Sequence, residues 1–122
     1  MTQEGGPRPV EILDRLFEIV SARRDARPQG SYVVTLLEGG WEAMAAKVRE
    51  EAEEVVVAAR EEGDDALAHE VADLLFHVWV LMASCEVAPE RVYSELSRRF
   101  GVGGHEEKAA RSGVPAAARE GE

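Results

Sequence analysis

Glu51 and Glu54 are three residues apart, and so are Glu70 and Asp73. In a helix that spacing projects both members of a pair from one face. Two such pairs on neighbouring helices would set four carboxylates against one another, an all-oxygen arrangement suited to a hard divalent cation such as Mg²⁺. The competing reading is a solvated acidic face, because Glu-rich helices are common. Position relative to the apolar residues separates the two.

At roughly 100° per residue, Met44, Val48, Val55 and Ala58 occupy one sector of a helix. Glu51 falls inside that sector and Glu54 on its border. Glu50 lies beyond Glu54, and Glu53 points well away. Glu51 is therefore expected to face the interior and Glu53 the solvent. Further on, Val71 to Ala83 is apolar nearly all round, which implies burial on most faces. Through it runs a narrow polar stripe of Glu70, Asp73, His77 and Ser84. Interior carboxylates must be protonated, paired with a base or bound to a metal, since desolvation costs several kcal/mol per ion and like charges add to it. Lys47, one turn before Glu51, is the obvious nearby base. The second pair, set in so apolar a helix, favours the cation cluster over the solvated face.

Other chemistry is disfavoured. A di-iron carboxylate bundle needs Glu-x-x-His, and none of His69, His77 and His105 has a Glu three residues before it. A Gly-rich phosphate loop, a nucleophile elbow and Cys/His zinc spacing are all absent from the sequence. The single Cys85 rules out an intrachain disulfide and reads as a small buried hydrophobe. His77 is expected to be a packed, hydrogen-bonded core residue, and Trp41 and Trp79 to be packing residues.

The elements that must position these groups are helices. Pro9 to about Ala22 is amphipathic through Leu13, Leu16, Phe17 and Val20, and a polar loop follows from Arg23 to Gly30. Ser31 caps a short helix that Gly39 and Gly40 stop. A long helix runs from about Trp41 to Glu62. A third, capped by Asp64 or Asp65, runs to about Cys85. Pro89 opens a fourth, which ends near Gly101. With no convincing strand pattern and short connections, the expected fold class is all-α, an antiparallel helical bundle of four main helices. The expected organisation is a flexible N-terminus over 1–9, one domain over 10–111 and a disordered tail over 112–122.

Composition agrees. The 122 residues are 45% hydrophobic but only 6% aromatic, and the formal net charge is −10. Such a core is built from small side chains, and a chain this short often gains stability by oligomerising. A homodimer with the apolar third helix near its interface is expected. The acidic balance argues against nucleic-acid binding. No apolar signal region stands at the N-terminus, and Val71 to Ala83 is shorter than the ~20 residues of a membrane span; a cytoplasmic protein without a membrane role is expected.

Glu51-Ala-Glu-Glu54 followed by Glu70-Val-Ala-Asp73 resembles the paired ExxE and ExxD signature of the MazG-like all-α nucleotide pyrophosphatase superfamily. Within it, three segments are similar to the phosphoribosyl-ATP pyrophosphatase family. They are Ser31-Tyr32 with Leu36-Leu37 and Gly40, the central run from Lys47 to Ala59, and Ala72-Asp73-Leu74-Leu75-Phe76-His77, where Phe76 replaces a usual Tyr. Arg49 stands where that family often has Gly, and Phe100 to Arg111 resembles an extension found in only some members.

The resemblance, over roughly Val10 to Arg111, implies Mg²⁺-dependent hydrolysis of phosphoribosyl-ATP to phosphoribosyl-AMP and pyrophosphate in histidine biosynthesis. It implies Glu51, Glu54, Glu70 and Asp73 as metal ligands and Glu50 as the carboxylate that orients or deprotonates water. Lys47 would contact phosphate, and Lys108 and Arg111 would close over the substrate. The alternatives are a house-cleaning MazG-like nucleoside triphosphate pyrophosphatase and a non-catalytic helical dimerisation module.

Overall fold

The structure, a computed structural model, describes residues 9–101. Those residues form five α-helices and, among them, no strand. They divide into two compact units between Val87 and Ala88. The first holds α1 (Pro9–Ala26), α2 (Tyr32–Glu38), α3 (Gly40–Glu61) and α4 (Asp64–Ser84); the second holds α5 (Pro89–Phe100).

Helix α1 runs four residues past the expected end at Ala22. Arg23 and Arg24 occupy its last turn, where cations complement the helix dipole, so the polar segment read as loop is helix. Arg24 also donates from Nη1 to the Ala83 carbonyl at 2.7 Å, satisfying an acceptor in the last turn of α4. The chain leaves α1 at Arg27, which adopts φ 51°.

Ser31 caps α2 as expected: its Oγ accepts from the Val34 N–H at 3.4 Å. The paired glycines that follow have separate reasons. Gly40 takes φ 82°, a left-handed conformation costly to other residues. At Gly39 a Cβ would stand 2.6 Å from the Ala43 side chain. The turn from α2 into α3 thus needs both.

Only Glu62 and Gly63 separate α3 from α4, and the two helices pack along each other. The expected Asp64 or Asp65 cap is not what the structure shows. Gly63, at φ 101°, is the N-cap and makes no side-chain cap bond; Asp64 and Asp65 lie in the first turn. There their charges favour the dipole without closing a cap. In α5, Pro89 sits in the first turn and left-handed Gly101 (φ 62°) ends the helix, both as expected.

The core of the first unit is Val20, Val33, Leu36, Met44, Val80 and Ala83, with Leu16, Phe17, Leu37, Phe76 and Leu81 packed on it. Its largest fully buried side chains are valines, the small-residue core that the composition implies. Trp79 is buried as expected, edge-on to Phe17, and its Nε1 donates to the Leu13 carbonyl at 2.8 Å. Two expectations are corrected. Trp41 shares a helical face with Met44 and Val48, yet it stands in the first turn of α3 and is 59% exposed. Cys85 is exposed, because it caps α4 at a turn and is not one of its interior residues.

Helix α4 packs against α1, α2 and α3. At 21 residues it is long and apolar enough to cross a membrane by length and composition alone. Along it lies an open groove lined by Leu67, Ala68, Val71, Ala72 and Leu75, with Asp64 at one end.

Candidate metal centre

The two carboxylate helices meet as the sequence pattern implies. One carboxylate oxygen each from Glu51, Glu70 and Asp73 lies within 4.8 Å of the others. Glu51 is buried at 8% exposure, while Glu53 is exposed, so the angular reading of α3 holds. Glu54 lies outside the three-residue group among the described residues; it is exposed and close enough to Glu70 to act on its charge.

Lys47 Nζ stands 3.7 Å from Glu51 Oε2 and 3.3 Å from Glu50 Oε1. Burial opposes its charge, but the Glu50 hydrogen bond and the neighbouring Tyr32, Glu50 and Glu51 hold its pKa above the ordinary value. Glu50 itself is half exposed at the rim. Arg49, the departure from the family pattern, points its side chain outward and is exposed.

The other Glu51 oxygen, Oε1, is buried without a hydrogen-bond partner among the described residues. A buried carboxylate oxygen left so is costly, and a bound cation is one of the few ways to satisfy it. Three carboxylates facing one lysine supply a hard, all-oxygen donor set, which fits Mg²⁺ or a similar ion.

Sequence reasoning passed over two neighbours. His69 Nε2 lies 3.3 Å from Asp73 Oδ2, a one-turn pairing that the spacing itself could have shown. Tyr32 reaches His77 across 45 residues, for which no local signal exists. His77 is 6% exposed with both ring nitrogens bonded, the packed histidine expected. Lys108 and Arg111 lie outside the described residues.

Comparison with known proteins decides the family. The model of the phosphoribosyl-ATP pyrophosphohydrolase family matches residues 13–100, a span that includes all four acidic residues. The chain belongs to this family. Among its relatives, phosphoribosyl-ATP pyrophosphatase from Geobacter sulfurreducens is 42% identical over 102 residues, covering 84% of this chain and 94% of the relative. The protein of the same name from Trichlorobacter lovleyi is 46% identical over 82% of this chain and 93% of its own. That from Sulfurisphaera tokodaii is 50% identical over 73% and 95%. In this phosphoribosyl-ATP pyrophosphohydrolase family member the match ends before Lys108 and Arg111 and so carries nothing about them.

The crowded site has a pH signature. Desolvation, then the charge of Glu54, hold the Glu70 pKa above the ordinary carboxylate value; Asp73 and Glu51 add to this and His69 opposes it. A carboxyl with a raised folded pKa binds its proton more tightly folded than unfolded. Its contribution to stability is fully present below the unfolded pKa and is lost as pH rises through the folded one. Glu70's contribution to the metal-free melting temperature is therefore expected to climb as pH falls through that window, so that Glu70→Gln climbs less, or falls more, than wild type. Melting curves in small pH steps check this; the same pH dependence in the variant contradicts it.

Proposed function

We propose that this protein hydrolyses phosphoribosyl-ATP to phosphoribosyl-AMP and pyrophosphate, the histidine-biosynthesis step that its family's name implies, in the cytoplasm and with Mg²⁺. The observation that carries the reading is the buried, unpartnered Glu51 Oε1 beside Glu70 and Asp73, in a chain of this family. Glu51, Glu70 and Asp73 are the ligands, and Glu54 joins them from the rim by a change of side-chain rotamer. Bound Mg²⁺ supplies charge neutralisation at the phosphates and a more acidic water.

The protein's own groups do the rest. Glu50 takes the proton of the attacking water, and its exposed position at the rim leaves it open to solvent. Lys47, already charged beside Glu50 and Glu51, turns to the phosphate chain when substrate enters. Lys108 and Arg111 contribute phosphate contacts from beyond the described residues. The bond between the α- and β-phosphates breaks, and pyrophosphate leaves. Pyrophosphate release from a panel of phosphoribosyl-ATP, ATP and dCTP tests the proposal. Preference for the first is expected. Equal rates on all three point to a house-cleaning MazG-like enzyme, and no release from any points to a non-catalytic helical module.

The helices of the first unit form an antiparallel bundle completed by a second copy of the chain. The support is the apolar groove along α4, where Leu67, Val71 and Leu75 remain only partly buried. A continuous apolar strip of this kind is a characteristic of subunit interfaces. Light scattering at micromolar concentration is expected to give a dimer mass. A fully active monomer contradicts it.

A further inference from the structure

Tyr32 is the first residue of α2, half exposed and stacked on Phe76 with ring centroids 6.0 Å apart. Its hydroxyl lies 2.9 Å from His77 Nε2, and His77 Nδ1 lies 2.8 Å from the Asp73 backbone carbonyl. A carbonyl oxygen only accepts, so Nδ1 carries a proton. In the neutral ring Nε2 is then the acceptor, and the Tyr32 hydroxyl donates to it. The phenol's one proton is thus directed into the protein. Its oxygen keeps lone pairs for a donor but has no proton left to offer a phosphate.

The place of that oxygen follows from both long helices. His77 is one turn, about 5 Å, beyond Asp73 on α4. Lys47, on whose charge Tyr32 acts, is one turn before Glu51 on α3. Tyr32 therefore stands one turn from the carboxylates along either helix, beside the site but outside the ligand group. A nucleotide whose phosphates sit at the carboxylates has its ribose hydroxyls next along the chain. Phosphate oxygens, which only accept, find no donor in this phenol; a sugar hydroxyl finds an acceptor.

We propose that Tyr32 is a specificity-determining residue that accepts a hydrogen bond from a hydroxyl of the ribose next to the triphosphate. His77 is the positioning residue that fixes the phenol's proton. The assignment rests on the nucleotide-hydrolysing reading above. It gives the Tyr32–His77 pair a task that packing alone would not require: it tells the sugar end of the substrate from the phosphate end.

The test compares wild type and Tyr32→Phe, which keeps the ring on Phe76, with phosphoribosyl-ATP and with its 2′-deoxy and 3′-deoxy forms at that ribose. Removing either partner of one hydrogen bond is expected to lower kcat/KM about tenfold. With one of the deoxy substrates the two losses do not multiply, so Tyr32→Phe cleaves it as fast as wild type does. A merely structural role for Tyr32 would instead slow all three substrates by one common factor, and losses that multiply for both deoxy forms overturn the contact. No release of pyrophosphate by the wild type overturns the functional reading and the contact with it. Separately, ¹⁵N NMR of the histidine rings reads the proton directly. Protonated Nδ1 and bare Nε2 are expected for His77, with the Nε2 resonance moving in Tyr32→Phe; a protonated Nε2 in the neutral ring overturns the positioning role.

Discussion

Glu51→Gln is expected to lower pyrophosphate release at least a hundredfold while leaving the metal-free protein as stable as wild type or more so. The two halves of this result have one cause. Glu51 is the buried member of the carboxylate group, and one of its oxygens has no partner among the described residues. Without a cation it faces Glu70 and Asp73, which repel it, and a single lysine 3.7 Å away. An amide of the same shape removes one charge and adds N–H donors for those carboxylates, so folding loses a repulsion. Lys47 keeps its bond to Glu50. The proposed metal site loses its most enclosed carboxylate, and about 3 kcal/mol of transition-state stabilisation lost with it is a hundredfold in rate. On the proposed reading Mg²⁺ binds the folded state and not the unfolded one, so it is expected to raise the wild-type melting temperature and to move the variant much less. Calorimetry with and without millimolar Mg²⁺ checks both halves. A wild-type curve unmoved by the ion, or a metal-free variant that melts well below wild type, contradicts the account.

The second large effect concerns substrate. ATP has the triphosphate of phosphoribosyl-ATP but lacks the second ribose phosphate on the adenine. If contacts to that remote group orient the α-phosphorus, removing it lowers turnover and not only affinity. ATP is expected to be cleaved slower by roughly two orders of magnitude, which losing ~3 kcal/mol of charge-assisted contacts supplies. Lys108 and Arg111 are the bases proposed to read the extra phosphate; they lie in the segment outside the described residues. Steady-state kinetics on both substrates, with Lys108→Ala and Arg111→Ala, is the check. Discrimination that collapses in either variant with ATP cleavage unchanged places the contact there. Unaltered discrimination in both removes these residues from the site.

The centre of the candidate site was legible because its geometry is helical. Helical angles alone put Glu51 inside and Glu53 outside, and three-residue spacing put Glu70 and Asp73 on one face. Burial of Glu51 and the meeting of those three carboxylates agree with that reading. What depends on chain ends was less legible. The acidic residues after Gly63 resemble caps, but the glycine's left-handed backbone takes the cap position. The two arginines that look like loop complete the last turn of α1 because the dipole and the Ala83 carbonyl welcome them. Trp41 and Cys85 sit where apolar faces reach a helix end, and periodicity says nothing of where their cover stops. The Tyr32–His77 bond joins α2 to α4, and long-range pairings of this kind leave no trace in local spacing. Glu54 shows the limit of angle arguments at a border position: it shares a face with Glu51, yet its side chain extends into solvent.

The claim at the centre of this account is that an all-oxygen cation site in this fold directs cleavage between the α- and β-phosphates of phosphoribosyl-ATP. Phosphorus NMR of a single reaction mixture tests it most directly, with purified protein, phosphoribosyl-ATP and Mg²⁺, repeated with a chelator and with Glu51→Gln. The account predicts pyrophosphate and phosphoribosyl-AMP in equal amounts, and neither product under chelation or in the variant. Release of inorganic phosphate with phosphoribosyl-ADP, or pyrophosphate formation unaffected by chelator and by Glu51→Gln, would contradict it.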